Sequence, residues 1–441
     1  MPVLLRESKR ILSTKISNSP SRLTVDRGDQ GCLSGARRAT RMSQPRRPVL
    51  RMEGRRLPKL QKCYGLGLAL CLFCLPLAFA DNPQATAGRT PTLSGNKEGS
   101  SQQSSFVLSG SQLKEFTSLE PIDTHTHIAQ DAPAFLAMLE RLHMHVLDIL
   151  VLDHTDPYLK SMEPQKQNNI NFVASSKGHA SFCTTFDPFQ FNNPDFPQSA
   201  IQALNQDFSR GAVAVKIWKN VGMQLKDASG HYVLPDDPRL EPIYQDIAAH
   251  HKTLIAHLAE PNDAWGTADS TGLDASYYTA HPQWNMSMHP GAPSKQQILQ
   301  ARDHILQLNP NLRVVGAHLG SMEDDVNQIA TRFQKYPNFA VDTAARIPHL
   351  MIQPRSQVRA FILKYQDRIV YGTDLEFFPG KNADQTVKSW NEHYAFDWRY
   401  FATDDIFEYR GRRVEGLNLP RSVLRKLYHD NAVRWIRGIS Q

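Results

Sequence analysis

Disulfide bonding is the first thing this chain does without. Of its five cysteines, Cys32, Cys63, Cys71 and Cys74 precede residue 80, leaving only Cys183 beyond it. One thiol forms no internal disulfide even in an oxidising compartment, so the fold must rest on an apolar core. Material for that core is present, since 41% of the residues are hydrophobic and 21% charged, as in ordinary globular chains. No glycine-rich phosphate loop follows the first apolar run, which argues against nucleotide binding. Excess positive charge is also missing from the main body. The formal charge of +7 looks like that of a nucleic-acid or membrane-surface binder, but residues 1–62 hold 16 Lys+Arg against 4 Asp+Glu and residues 63–80 carry no charge. The remainder holds 34 basic and 39 acidic residues, so nucleic acid is not an expected partner.

The basic leader has a structure of its own. Tyr64 to Ala80 is an uncharged run of 17 residues behind Arg55, Arg56, Lys59 and Lys62, ending in Ala78-Phe79-Ala80. A basic start, an apolar middle and a small-x-small end describe a secretory signal peptide. The run is at the lower limit for spanning a bilayer, and its ending favours cleavage over a lasting membrane anchor. Neither Cys71 nor Cys74 follows a small residue, as a lipidated cysteine would. Met52 opens a leader of conventional length. Residues 1–51 are therefore expected to be a gene-start artefact without a fold, 52–80 the signal peptide, and the mature chain periplasmic or secreted. Residues 81–114, rich in Ser, Gly, Thr, Gln and Asn, read as a disordered spacer, and 115–441 as the functional domain.

Within that domain, β-rich runs occur at 120–127, 146–153, 181–187, 212–218, 253–259, 313–319, 339–344 and 368–374. Helical candidates lie at 132–142, 165–177, 197–209, 238–251, 294–308, 324–336, 355–366 and 421–437. Eight strands alternating with eight helices predict an α/β fold, a parallel sheet closed into a (β/α)8 TIM barrel. Three connections, 219–237, 260–293 and 375–420, are too long to be mere links. All leave the carboxyl ends of strands, where barrel enzymes build active sites. The other use of such loops is contact between copies in a homo-oligomer.

His125 and His127 end the first run. Residues i and i+2 of a strand point to one side, so the two imidazoles offer a two-nitrogen grip on a transition metal. His143 and His145 repeat the spacing but precede the second run, at the opposite end of the barrel, and read as surface or structural residues. His257, His318 and Asp374 lie at the ends of the fifth, sixth and eighth runs. Ionisable groups buried in a barrel mouth are costly unless paired or metal-bound. Alternation from Ala214 puts Lys216 and Trp218 on the inward side of the fourth strand.

The set His125-x-His127, Lys216 in AVKIW, His257 in IAHLAE, His318 in GAHLG and Asp374 in YGTD resembles the amidohydrolase superfamily. It most resembles the amidohydrolase-related branch that includes aminocarboxymuconate-semialdehyde decarboxylase. The closing Leu427-Tyr428-His429-Asp430-Asn431-Ala432-Val433-Arg434 resembles that branch's last helix, and the likeness covers about 118–438. The resemblance implies one divalent metal, commonly zinc, on His125, His127, His257 and Asp374, with His318 beside the metal's water as base or electrostatic partner. Imidazole plus carboxylate suits zinc, with manganese or iron as alternatives.

Several residues keep two readings. In some members of the superfamily a fourth-strand lysine is carboxylated and bridges two metals; otherwise Lys216 binds an anionic substrate group or pairs with a carboxylate. Glu260 supports a second metal or is a plain loop anion. Arg346 clamps a substrate carboxylate through forked contacts, or makes a salt bridge at the rim. Trp218, Trp265, His281, Trp284 and His289 populate loops over the mouth as pocket wall or as packing. The expected activity is hydrolysis of a C–N or C–O bond in a small molecule, a carboxylate among the candidates, with Asp374 and His318 catalytic. The alternative is non-oxidative decarboxylation, and a third reading is a non-catalytic exported metal-binding protein.

Overall fold

The computed structural model describes residues 107–266 and 272–439. The gene-start, signal-peptide and most spacer expectations lie outside the described residues. The barrel strands are β1 (Ile122–Ile128), β2 (His145–Ile149), β3 (Ala180–Thr185), β4 (Ala214–Ile217), β5 (Thr253–Ala256), β6 (Arg313–Gly316), β7 (Phe339–Asp342), β8 (Ile369–Val370) and β9 (Leu375–Phe377). They pair in the order β8-β7-β6-β5-β4-β3-β2-β1-β9, every neighbouring pair parallel. β8 and β9 are two pieces of one eighth strand. Between them Thr124 N–H donates to the Tyr371 carbonyl at 2.9 Å, and Asp374 N–H to the His125 carbonyl at 2.7 Å. The ring therefore closes on β1, and the (β/α)8 barrel expected from the alternation is the fold.

Inward positions follow the period of two. Ile255 on β5, Ala214 on β4 and Ala340 on β7 pack with Cys183, Leu147, Val315 and Val370 in the barrel interior. Two residues further along those strands stand Lys216, His257 and Asp342, so alternation alone brings them into the mouth. The amino end of the barrel is stoppered by the C-terminal segment. Trp435, Ile436 and Ile439 join the interior cluster, and the Ile439 carbonyl accepts from Ser181 Oγ at 2.7 Å.

Three expectations need correction. The strand ladders stop earlier than the apolar runs: β5 ends at Ala256 and β6 at Gly316; His257 N–H still donates to the Ile217 carbonyl at 3.0 Å, while the chain turns out of the sheet at His318, at φ 58°. The spacer boundary at 114 is crossed by the helix Gly110–Thr117, held by buried Phe116, whose ring meets Trp398 edge-on at 5.5 Å. The connection 375–420 is no loop. It carries the helix Ala383–Ala402 and the hairpin β10 (Ile406–Tyr409) and β11 (Arg412–Glu415). That helix buries Trp390, Tyr394, Trp398 and Phe401, a spacing of four, four and three that makes one apolar face. Among the described residues no helix is long and apolar enough to cross a membrane.

Candidate metal centre

Each long strand end leaves the sheet through a residue in the left-handed region: Ala259 after β5, His318 after β6, Ala345 after β7 and Asp374 between β8 and β9, at φ of 65°, 58°, 53° and 68°. A non-glycine residue there costs about 1–2 kcal/mol, and such strain concentrates at functional sites. At β6 the turn requires glycine. A Cβ on Gly316 would lie 2.8 Å from the Phe339 ring and 2.9 Å from Gly320 Cα. The sharp turn that results points the His318 ring into the barrel.

The two histidines of β1 are fixed from behind. His125 Nδ1 bonds Asp342 Oδ2 at 2.8 Å, and His127 Nδ1 bonds the Ile149 carbonyl at 2.7 Å. With each Nδ1–H donated to an acceptor, each neutral ring turns a lone pair outward at Nε2. Those lone pairs face Asp374 Oδ1 at 3.4 and 3.3 Å. A cation held among these atoms would satisfy the two lone pairs and the carboxylate together. The ligand atoms of His125, His127 and Asp374 all lie within 4.8 Å of one another, so this donor set fits a divalent metal. His257 adds a second sign of the same kind, a buried Nε2 with no hydrogen-bond partner.

The structure thus gathers His125, His127 and Asp374, and sets Lys216 Nζ 3.0 Å from His125 Nε2. Lys216 is fully buried, and burial pushes its amine down to about 8. His257 lies one ring further away. Its centroid is 4.1 Å from that of His318, which is 4.8 Å from that of His125. Burial pushes His257 down to about 4 and His318 well below the ordinary imidazole range. His318 N–H donates to Asp342 Oδ1 at 2.7 Å and its Nδ1 is 2.9 Å from the Ala344 carbonyl. Asp342 therefore positions two site histidines at once.

Around them opens a cavity of about 240 Å³ whose wall includes His257, His318, Asp374 and Arg346. Glu260 is already committed, paired with Lys219 and with Arg346 Nη2 at 3.4 Å and accepting from Tyr278 O–H at 3.0 Å. That occupancy disfavours it as a second-metal ligand. Arg346 makes the rim salt bridge, to Glu260 and, at 4.0 Å, to Asp274, yet its buried Nε has no partner. Trp218 stands outside this cavity, edge-on to Trp284 at 5.1 Å, and lines a smaller one with Phe186 and Val221. Trp265 anchors its loop through Nε1 to the Pro293 carbonyl at 2.9 Å, His281 stacks on Tyr277 at 4.3 Å, and half-buried His289 sets Nε2 3.0 Å from the Pro282 carbonyl. Sequence reasoning missed Asp342, Lys219, Asp274 and His349. Asp342 had a signal, being the charged residue that ends the apolar run FAVD just as Asp374 ends YGTD.

A parallel barrel with a His-x-His pair on its first strand and an aspartate closing its last defines a metal-site barrel of enzymatic design. The chain belongs to the amidohydrolase family, whose model (Amidohydro_2) matches residues 122–438. No curated protein matches the chain by sequence. Similar solved structures include the uncharacterized TIM-barrel protein Bb4693 from Bordetella bronchiseptica, at 14% identity and TM-score 0.42, covering 72% of this chain and 99% of that one. The 2,6-dihydroxybenzoate decarboxylase from Rhizobium is 13% identical with TM-score 0.41, over 71% of this chain and 99% of that one. A dihydroxybenzoic acid decarboxylase from Polaromonas sp. JS666, with bound manganese and the inhibitor 2-nitroresorcinol, is 13% identical with TM-score 0.44, over 72% and 96%.

Proposed function

We propose that this protein hydrolyses a C–N or C–O bond of a small carbonyl compound, with His125, His127, His257 and Asp374 holding one divalent ion, zinc by donor chemistry. The observation that carries the reading is the fixed orientation of His318. Its Nδ1 is spent on the Ala344 carbonyl, so Nε2 is left as a proton acceptor in a cavity it shares with Asp374. When bound, the ion lowers the pKa of a water toward ~7 and polarises a carbonyl. Asp374 or His318 Nε2 takes the proton released as the water oxygen bonds the carbonyl carbon. The same group returns that proton to the nitrogen or oxygen of the breaking bond, giving a carboxylic acid and an amine or alcohol. Lys216, 3.0 Å from His125 Nε2, adds positive charge beside the site, or bridges a second ion if carboxylated.

Non-oxidative decarboxylation is the second reading, favoured by the unpartnered buried Nε of Arg346, a donor suited to a substrate carboxylate. Screening carboxylate esters, lactones and amides in 18O-labelled water tests the choice. Hydrolysis places one labelled oxygen in the acid product; release of carbon dioxide with no label in the remaining organic product overturns it. Turnover of neither kind, with a tightly held ion, would leave the metal-binding reading. We further propose export, with N-terminal sequencing of the exported protein starting at Asp81; cytoplasmic protein retaining residues 1–51 would contradict it.

A further inference from the structure

One end of the cavity is built by the insertion after the eighth strand, not by the barrel. The helix Ala383–Ala402 contributes His393, Phe396 and Asp397, and the β10–β11 hairpin contributes Tyr409 and Arg410. The hairpin turns on Arg410 and Gly411, both left-handed at φ of 49° and 72°, the pattern of a tight two-residue turn. That turn sets Arg410 at the tip, where its guanidinium donates to the Leu273 carbonyl at 3.0 Å. The acceptor is neutral, and among the described residues no carboxylate forms an ion pair with Arg410.

The neighbouring polar groups are half satisfied. His393 Nε2 lies 3.3 Å from Asp397 Oδ2, with the imidazole 14% exposed, and Asp397 Oδ2 also accepts from Tyr371 O–H at 2.8 Å. Burial opposes a charge on His393, but Asp397 outweighs it and holds the imidazole above its ordinary value. The Tyr409 hydroxyl is buried and makes no hydrogen bond of good geometry; the Arg410 guanidinium is its polar neighbour, 5.7 Å from the ring centroid, and the ring lies 5.4 Å from that of Phe396. A buried hydroxyl without a well-formed hydrogen bond is unfavourable, and an acceptor atom of a ligand would satisfy it. The carboxylates nearby have partners other than Arg410: Asp397 lies beside His393, Glu376 pairs with Lys381 at 3.3 Å, and Asp274 lies 3.2 Å from His349 Nε2 and 4.0 Å from Arg346.

We propose that Arg410, Tyr409 and His393 form a distal subsite that holds an oxyanion at the end of the substrate remote from the bond that is cut. The insertion thereby sets substrate length and charge, while the barrel supplies the chemistry. The inference rests on reading this cavity as the substrate pocket, but its test needs no turnover. Calorimetry on the metal-loaded protein compares linear dicarboxylates of about four to eight carbons with the monocarboxylate of equal length. An ω-phosphonocarboxylate series runs beside them. At one length the dianion binds about tenfold or more tightly than its monocarboxylate, the scale of a charge-assisted hydrogen bond. Arg410→Gln and His393→Asn bring that ratio near one, with metal content and monocarboxylate affinity unchanged. Tyr409→Phe, which keeps the ring, lowers it about threefold. Tighter binding of the phosphonates assigns a phosphate to the subsite, and of the dicarboxylates a carboxylate. If neither series outbinds the monocarboxylates, or if the ratio survives Arg410→Gln at the exposed hairpin tip, the subsite does not exist, whatever reaction the barrel performs.

Discussion

Two His-x-His pairs stand at opposite ends of this barrel, and only their surroundings tell them apart. His125 and His127 lie within β1 at the carboxyl end, each Nδ1 held from behind and each Nε2 turned toward Asp374. His143 and His145 straddle the start of β2. His143 caps the helix Pro133–Leu142 in a left-handed conformation at φ 49°. His145 uses both ring nitrogens on neutral partners, the Gly178 carbonyl at 3.0 Å and Ser181 Oγ at 2.9 Å. Spacing alone makes no metal site. A second acceptor in front of an already fixed ring does, and the topology of a parallel barrel provides one only where strands end.

The largest expected effect comes from making one substitution in both pairs. His125→Ala removes a nitrogen from the ligand set, so the purified variant should lose its metal and its turnover by more than the ~10⁴ of a single acid–base residue. His143→Ala should keep both. Metal analysis and rate measurements in one buffer check this, and loss of metal in His143→Ala would break the contrast. Next in size is His318→Asn. It should keep most of the metal while lowering turnover by roughly 10²–10⁴, since the proposed role of His318 is to move a proton and not to hold the ion. Metal loss as complete as in His125→Ala would make His318 a ligand.

Much of this contrast was legible in the chain. Period-two alternation and strand-end placement are enough to assign His125, His127, His257, His318 and Asp374 to one end of the barrel. Less visible were contacts that exist only after the barrel closes. His125 and Asp342 are 217 positions apart, and Lys219 meets Glu260 across 41, so no local pattern announces either pair. The insertion helix Ala383–Ala402 was hidden for another reason. Its exposed face is rich in charge, which makes the segment read as a loop unless the aromatic residues are counted on one side.

Asp342 gives a third, smaller test. It accepts from His125 Nδ1 and, through its other oxygen, from His318 N–H. Asp342→Asn keeps the shape but weakens the hold on both rings. Metal affinity should fall by about 10–100-fold, the usual cost of losing an outer hydrogen bond to a metal-binding histidine. Competition with a chelator measures it, and an unchanged affinity would mean that β1 geometry alone orients His125.

The smallest effect belongs to the other pair and concerns stability. Burial pushes His145 down to about 4; the Gly178 carbonyl opposes the shift, and the charges of His179 and His429 add to it. In the unfolded chain an imidazole titrates near ~6.5. Between those values the unfolded chain takes up a proton that the folded one refuses, so unfolding binds protons and acid favours it. The stability that neutral His145 provides is fully present above pH ~6.5 and is lost as pH falls toward about 4. His145→Gln retains a hydrogen-bonding group toward Ser181 but does not titrate. The measurement is the difference in unfolding free energy between wild type and His145→Gln, in denaturant at pH 7 and at pH 4.5, where contributions of the distant metal ligands cancel. With solvent screening at the open edge of the ring, that difference should shift by about 1–2 kcal/mol in favour of the variant at the lower pH. A difference independent of pH would show that His145 titrates as in water, and that the two pairs differ less in burial than in what stands before them.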